Sequence, residues 1–332
     1  MTSDALGLGR RYGQLGVQRP TDGRPRICAG ILPIRRRLIL LVGALAALAP
    51  AISAGAQDLE PRAYRSLPTG LNFLVVSLGR SEGNVIFDPS LPIKDLEAEI
   101  DTAIAAYFRS LSLWGRSASV TAIVPFVNVR ATGLLEGELV GGRRSGTGDL
   151  RLRLAVNLLG GPALSPEEFR DYRQRRNVGV SLAISAPTGQ YDSSRLINFG
   201  SNRWGFKPEI GYSSIRGRWI LEAAAGVWLY TTNDDFVGVS REQDPIGSFQ
   251  THISYSFKPG LWLALGGTYF TGGLTTVDGI ERSDLQKNAR IGLTLSIPVG
   301  QRQSVKVATH TGAFTRVGAD FDVATLSYQL GW

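Results

Sequence analysis

The chain has 332 residues, a formal net charge of +8, 40 Gly, two His, one Cys and one Met, with 43% hydrophobic and only 19% charged residues. That composition, at a mean hydropathy of zero, excludes a disordered chain, which lacks the apolar content, and a bundle of membrane-spanning helices, which lacks the polar content. The positive charge sits at the start: residues 1–56 hold eight Arg and two acids, whereas residues 57–332 hold 28 basic against 26 acidic side chains. No nucleic-acid partner is expected, because the basic footprint belongs to a segment that export removes.

Arg35-Arg36-Arg37 leads into an apolar run from Leu38 to Ala49, then Pro50 and Ala54-Gly55-Ala56. A basic region, about a dozen apolar residues and an A-x-A site make a secretory signal peptide, whereas a spanning helix needs about 20 apolar residues. Residues 35–56 are read as that signal, cleaved after Ala56, with Ala54 and Ala56 as the small residues of the site. Residues 1–34 form a polar extension, which we read as the product of a start codon assigned too early. Arg36-Arg37-Leu38-Ile39 faintly resembles a twin-arginine signal, but export of an unfolded chain fits the rest better. Cys28 lies in this leader, so residues 57–332 carry no thiol, and with His252 and His310 far apart no metal site and no cofactor are expected.

From residue 69 onward, apolar and polar residues alternate with a period of two in segments of about ten residues. The last segment is the clearest: Ala324, Leu326, Tyr328, Leu330 and Trp332 share one face, and Thr325, Ser327, Gln329 and Gly331 the other. Leu150 to Leu158 and Ile291 to Ile297 repeat the pattern, with Arg151, Arg153 and Asn157, or Arg290, Thr294 and Ser296, on the opposite face. Twelve segments are predicted, at 69–80, 100–112, 117–129, 148–159, 177–188, 206–215, 218–231, 246–257, 261–271, 287–298, 304–315 and 322–332.

Short connections at 114–116, 216–217, 258–260 and 300–303 alternate with long ones at 81–99, 130–147, 189–205, 232–245 and 272–286. This is the asymmetry of a transmembrane barrel with tight periplasmic turns and long outer loops. The connection 160–176 breaks the rhythm; Ser165-Pro166-Glu167-Glu168 is a capping box with Pro in the first turn, and Arg173, Arg175 and Arg176 follow, so a short periplasmic helix is predicted near 165–176. In 69–80 and 100–112 both faces are similarly apolar, and the register there stays open.

The expected fold is therefore all-β: residues 57–332 form an antiparallel up-and-down barrel of about 12 strands in the outer membrane of a Gram-negative bacterium. In hydrocarbon every backbone polar group needs a partner, and a sheet provides this only by leaving no edge. Tyr212, Trp219, Tyr255, Phe257, Tyr269 and Trp332 fall near segment ends on the apolar parity, where an aromatic girdle sits. Outer-membrane lipid, lipopolysaccharide and the barrel-assembly machinery are the expected partners, the last reading Leu326, Tyr328, Leu330 and Trp332 as its C-terminal signal. A secreted β-sandwich is the soluble alternative, and it requires these apolar faces to meet in one core.

Residues 60–332 resemble the outer-membrane barrel family named for the meta (MetA) pathway of phenol degradation. The resemblance is carried by Pro68-Thr69-Gly70, Gly148-Asp149-Leu150, Ala155-Val156-Asn157-Leu158-Leu159-Gly160, Pro187-Thr188-Gly189-Gln190-Tyr191 and Asn198-Phe199-Gly200-Ser201-Asn202-Arg203-Trp204. Lys207-Pro208-Glu209-Ile210-Gly211-Tyr212-Ser213, Asp244-Pro245, Pro259-Gly260-Leu261-Trp262 and Gly318-Ala319-Asp320-Phe321-Asp322 complete it. The family implies a transporter of aromatic or other small hydrophobic compounds; that cargo comes from the family's name and not from composition or spacing.

Parity places Arg151, Arg153, Asn157, Lys207, Glu209, Glu222, Trp228, Tyr230, Gln250, His252, Trp262, Phe270, Arg290, Lys306 and His310 toward the lumen. Both signs of charge argue against a strongly ion-selective ring. Twelve strands fall between filled and open barrels, so ion pairs of Arg153 or Lys207 with Glu209 or Glu222 can plug the interior, a structural barrel being the alternative to a transporter. Trp228, Tyr230, Trp262 and Phe270 are the candidate contacts for an aromatic solute. An enzyme acting on lipid is the lesser alternative, because both His lie on the inward parity rather than at the lipid face; no enzymatic activity is expected. The outer-loop acids Asp234, Asp235, Asp278, Glu281 and Asp284 read as solvated loop charge rather than a divalent-cation site.

Overall fold

The structure, a computed structural model, describes residues 60–86, 93–135, 138–195 and 198–332. The proposed signal, its Ala54 and Ala56 site and the extension before it lie outside the described residues. Strands β1 (Asn72–Ile86), β2 (Ile93–Leu113) and β3 (Arg116–Leu135) pair in sequence, and β4 (Glu138–Thr147) and β5 (Leu150–Leu159) both pair with β3. The meander continues through β6 (Arg176–Ala186), β7 (Gly205–Arg216), β8 (Trp219–Tyr230), β11 (Ile246–Lys258), β12 (Leu261–Gly272), β15 (Gln286–Gly300), β16 (Gln303–Thr315) and β17 (Gly318–Gly331). β17 pairs back onto β1, so the sheet closes and every wall strand has two neighbours.

The closed sheet has 13 members but twelve wall strands, because β4 and β5 are two parts of one. Phe126 pairs with Thr147 and Ile123 with Arg151, so residues 148–150 stand opposite Val124 and Pro125 alone. Proline has no N–H to give the ladder, and a bulge is where a strand tolerates that loss. The twelve segments read from alternation are these twelve wall strands, a closed antiparallel all-β barrel as expected.

The loops differ from the sequence reading. Residues 81–86, 93–99, 130–135 and 138–147 extend the first strands, so that β2 and β3 reach 21 and 20 residues where about 9–11 cross a bilayer. Segments 232–245 and 272–286 fold into a separate four-stranded flap of β9 (Asn233–Phe236), β10 (Val239–Gln243), β13 (Thr275–Val277) and β14 (Ile280–Glu281). Alternation of apolar with polar residues is weak where charged side chains such as Arg80, Glu82, Glu99, Asp101 and Arg130 take the outward positions. The long periplasmic connection carries α1 (Pro166–Phe169), only four residues, whose Ser165 and Glu168 make both hydrogen bonds of the capping box.

The register left open in the first strands is settled by side-chain direction. Leu74, Val76 and Leu78 face outward, and above them on the same face come Arg80 and Glu82. Arg80 and Arg130 each approach Glu99 and Asp101 at 3.2–3.4 Å. These half-exposed pairs contribute about 0–1 kcal/mol each, but they mark where the hydrocarbon ends. Around the rest of the wall the outward parity is apolar, and Tyr255 contacts both Trp219 and Phe257 at its periplasmic rim. The short turns are built for hairpins: Trp114 and Gly115 both take positive φ, 52° and 71°, as a type I′ turn requires.

Candidate functional site

The lumen is built by the inward parity of the wall and by a segment outside it. Residues 60–71 precede β1 and enter the barrel from its periplasmic end. At the base, Thr69 N donates to Leu164 O at 2.8 Å and Ser66 N to Gln174 Oε1 at 3.0 Å. Asn177 Nδ2 donates to Ser66 Oγ at 2.8 Å and to Tyr64 O at 3.1 Å. Tyr64 stands highest, its hydroxyl donating to Glu209 Oε1 at 2.7 Å and lying 3.2 Å from Ser181 Oγ. Arg62 turns back, donating from its backbone to Glu222 and from Nη2 to Ser256 Oγ at 2.8 Å, with its guanidinium 4.3 Å from the centre of the Trp262 ring.

Glycine makes the room for this segment. A Cβ on Gly211 would stand 2.0 Å from the Tyr64 ring, and one on Gly179 2.6 Å from it. Both glycines lie on the inward parity of their strands, flanked by Glu209 and Ser213 or by Asn177 and Ser181. Sequence reasoning missed the segment entirely, since 60–68 has no periodicity; the signal available was two inward glycines side by side on β6 and β7, paired in register.

Glu209 organises the middle of the lumen. Lys207 Nζ lies 3.0 Å and Arg153 Nη2 3.5 Å from its carboxylate, Gln250 Nε2 donates at 3.3 Å, and Tyr64 completes the set. Glu222, read as an alternative partner for those cations, instead receives the backbone of Arg62. Trp228, Ile246 and Phe270 form a buried apolar cluster above, with Tyr230 stacked on Trp228 at 6.0 Å. Arg151 and Lys207 lie 6.0 and 5.8 Å from the Trp228 ring centre.

The sequence-selected residues thus divide into groups. Arg153, Lys207, Glu209 and Gln250 meet at Tyr64; Arg151, Trp228, Tyr230 and Phe270 meet above them; Glu222 and Trp262 meet Arg62 below. His252 is buried opposite Glu222 and Gly266 in register, and His310, also buried, opposite Gly292 and Val323. Arg290 and Lys306 stand partly buried on β15 and β16, with Arg290 close enough to act electrostatically on His310. Leu326, Tyr328, Leu330 and Trp332 all face outward on β17 and the residue after it. No group of three or more His, Cys, Asp or Glu with metal-binding geometry occurs among the described residues.

At the outer mouth the flap meets loop residues 187–195 and 198–204, Tyr191 Oη donating to Asp235 O at 2.9 Å. Asp149, buried at the bulge, accepts from Gly189 N at 3.0 Å and from both Ser201 N, at 2.9 Å, and Ser201 Oγ. Removing this buried carboxylate leaves the Gly189 and Ser201 N–H groups unpaired, while Ser201 Oγ keeps Arg203 O at 3.0 Å, so Asp149→Ala is expected to cost about 3 kcal/mol. Denaturant unfolding of the variant in detergent checks this, with an unchanged midpoint as the contrary result. Arg203 follows in the same loop, over the Tyr230 ring at 4.2 Å and donating to Gln243 of β10. Desolvation, and next the nearby Arg241 charge, disfavour its charged form and push it down to about 9.

With this geometry in place, comparison with known proteins gives the family. The sequence pattern of the family named for the MetA pathway of phenol degradation matches residues 78–320. The chain belongs to that family. No protein of curated function matches it in sequence. Among solved structures, the COG4313 outer membrane channel from Pseudomonas putida F1 is similar with a TM-score of 0.71 at 22% identity, covering 83% of this chain and 100% of that one. The transport unit of the autotransporter AIDA-I from Escherichia coli (TM-score 0.47, 10% identity, 87% and 97% covered) and the KdgM porin (0.41, 7%, 76% and 98%) follow. The first likeness establishes the fold as that of an outer-membrane barrel.

Proposed function

We propose that this protein is an outer-membrane channel that admits aromatic or other small hydrophobic compounds. The observation that carries the proposal is the division of the lumen into an aromatic upper half, at Trp228, Tyr230 and Phe270, and a lower half occupied by a segment held through side chains rather than by strand pairing. Such a segment can leave without breaking the wall, and an aromatic lining gives an apolar solute somewhere to reside on the way. The family name and the channel fold of the Pseudomonas putida relative support the same reading.

The test is uptake of phenol and toluene by proteoliposomes carrying the protein purified from outer membranes, alongside single-channel conductance. Solute-dependent current block or uptake above protein-free vesicles is the expected result; a barrel that inserts, shown by its heat-modifiable gel mobility, yet passes neither solute nor ions opposes it. The same occupied lower lumen favours a second reading, a structural barrel with a permanent plug, and that outcome is its signature. The outward Leu326, Tyr328, Leu330 and Trp332 are assigned to recognition by the assembly machinery, and the apolar belt to outer-membrane lipid with lipopolysaccharide above it.

A further inference from the structure

Two arginines at the outer end of the lumen are buried without an acid to pair with. Arg203 and Arg241 expose only 5% and 4% of their surface. Arg203 gives Nη2 to the neutral Gln243, and its Nη1 has no partner. Arg241, on the inner face of β10 and 5.1 Å over the Phe236 ring, makes no hydrogen bond or ion pair through its guanidinium among the described residues.

The two acids within electrostatic reach are already committed. Asp149 is filled by Gly189 and Ser201, and Asp284 accepts from Thr275 N at 2.9 Å and Thr275 Oγ1 at 2.6 Å. Tyr191, which also faces both arginines, spends its hydroxyl on Asp235 O and Asn233 Nδ2. Two mutually repelling guanidiniums, held out of water with free N–H groups, are an arrangement that proteins keep where an anion completes it.

What lies next to them selects the anion. The Tyr230 ring under Arg203 stacks on Trp228, which packs with Ile246 and Phe270. We propose that Arg203 and Arg241 form a binding site for the carboxylate of a small amphiphilic acid whose apolar body rests on Tyr230, Trp228, Ile246 and Phe270. A carboxylate presents two coplanar oxygens to a guanidinium fork and leaves its body free to enter the apolar cluster. As a statement about cargo this rests on the channel function proposed above, and it adds the head group that the cargo carries; as a binding site it stands alone.

The test uses the detergent-purified protein and isothermal titration with sodium benzoate, sodium octanoate, phenol and inorganic phosphate. Benzoate or octanoate is expected to bind, with phenol weaker, and Arg241→Met and Arg203→Met each to weaken that binding by about tenfold or more. Arg241→Lys falls between, since it keeps charge and loses the fork. Arg80→Met, on the outer face of β1, leaves it unchanged. Benzoate and octanoate separate the aromatic from the fatty acid, and either one satisfies the site.

Failure of both acids to bind at millimolar concentration, equal binding by Arg241→Met, or phosphate outcompeting both overturns the proposal. Should a variant lose its heat-modifiable mobility, weakening of wild-type benzoate binding by chloride and a benzoate-dependent rise in its thermal midpoint take the place of the mutant comparison. Binding without uptake into proteoliposomes keeps the site and removes the channel. Uptake of phenol or toluene with neither acid bound keeps the channel and removes the site.

Discussion

Substituting Gly211 by valine expels the Tyr64 ring from the lumen and raises single-channel conductance while the barrel stays folded. The native backbone at Gly211 is ordinary strand, so the side chain strains nothing locally; the conflict is with Tyr64, 2.0 Å from where a Cβ would stand. Overpacking costs about 1–3 kcal/mol wherever a core cannot give way. Here one side of the conflict is a wall strand paired along both edges, and the other is the Tyr64 end of the segment, fixed there by a few bonds that each involve a side chain, so the segment moves. Conductance is expected to increase by about twofold or more, because closure of a barrel this narrow depends on what occupies it. Tyr64→Ala is the milder companion, since Arg62 and Ser66 keep their own anchors. Unchanged current in Gly211→Val, with normal heat-modifiable mobility, would show that the segment does not limit passage.

Glu209→Gln is expected to be the most destabilising single change in the lumen. It leaves Lys207, whose side chain is 5% exposed, and Arg153 facing an amide that cannot balance them. Breaking a buried pair by neutralising one member costs about 3–5 kcal/mol, most of it the uncompensated charge left behind. The Tyr64 hydroxyl keeps an oxygen to donate to, so the loss is electrostatic rather than a lost hydrogen bond. Unfolding in denaturant reads the effect directly. The double variant Lys207→Met with Glu209→Leu is expected to recover most of the stability, since both charges then leave together. Equal stability of Glu209→Gln and the wild type would mean that water reaches Lys207.

The wall was legible because a lipid-facing strand has one rule. Leu326, Tyr328 and Leu330 must meet hydrocarbon while Ser327 and Gln329 need not, and that contrast is written locally, residue by residue. Ser165 and Glu168 were equally local: a capping box involves two side chains three residues apart, and both its bonds form. Reading failed where the partner is distant or the environment is water on both sides. Outer extensions such as Glu138–Thr147 carry no lipid imprint, and the flap joins two loops about 40 residues apart in the chain.

The candidate site divides along the same line. Parity put Arg153, Lys207, Glu209 and Gln250 in the lumen, yet it supplied both Glu209 and Glu222 as partners for the cations, and only three dimensions chose Glu209. Tyr64 and Arg62 belong to no strand, and their place in the lumen follows from holes left by Gly179 and Gly211 in strands more than a hundred residues later. Arg203 and Arg241 lie in loops 38 positions apart, where nothing in the order of residues says that their charges approach one another or that nearby acids are already spent. By itself the sequence determined the barrel, its twelve wall strands and, in all but the first two, which face meets lipid, because the bilayer imposes a period that each strand obeys alone. The tertiary structure decided what fills the lumen and what meets at its mouth, because those depend on charges, holes and unpaired donors that become neighbours only when the sheet closes.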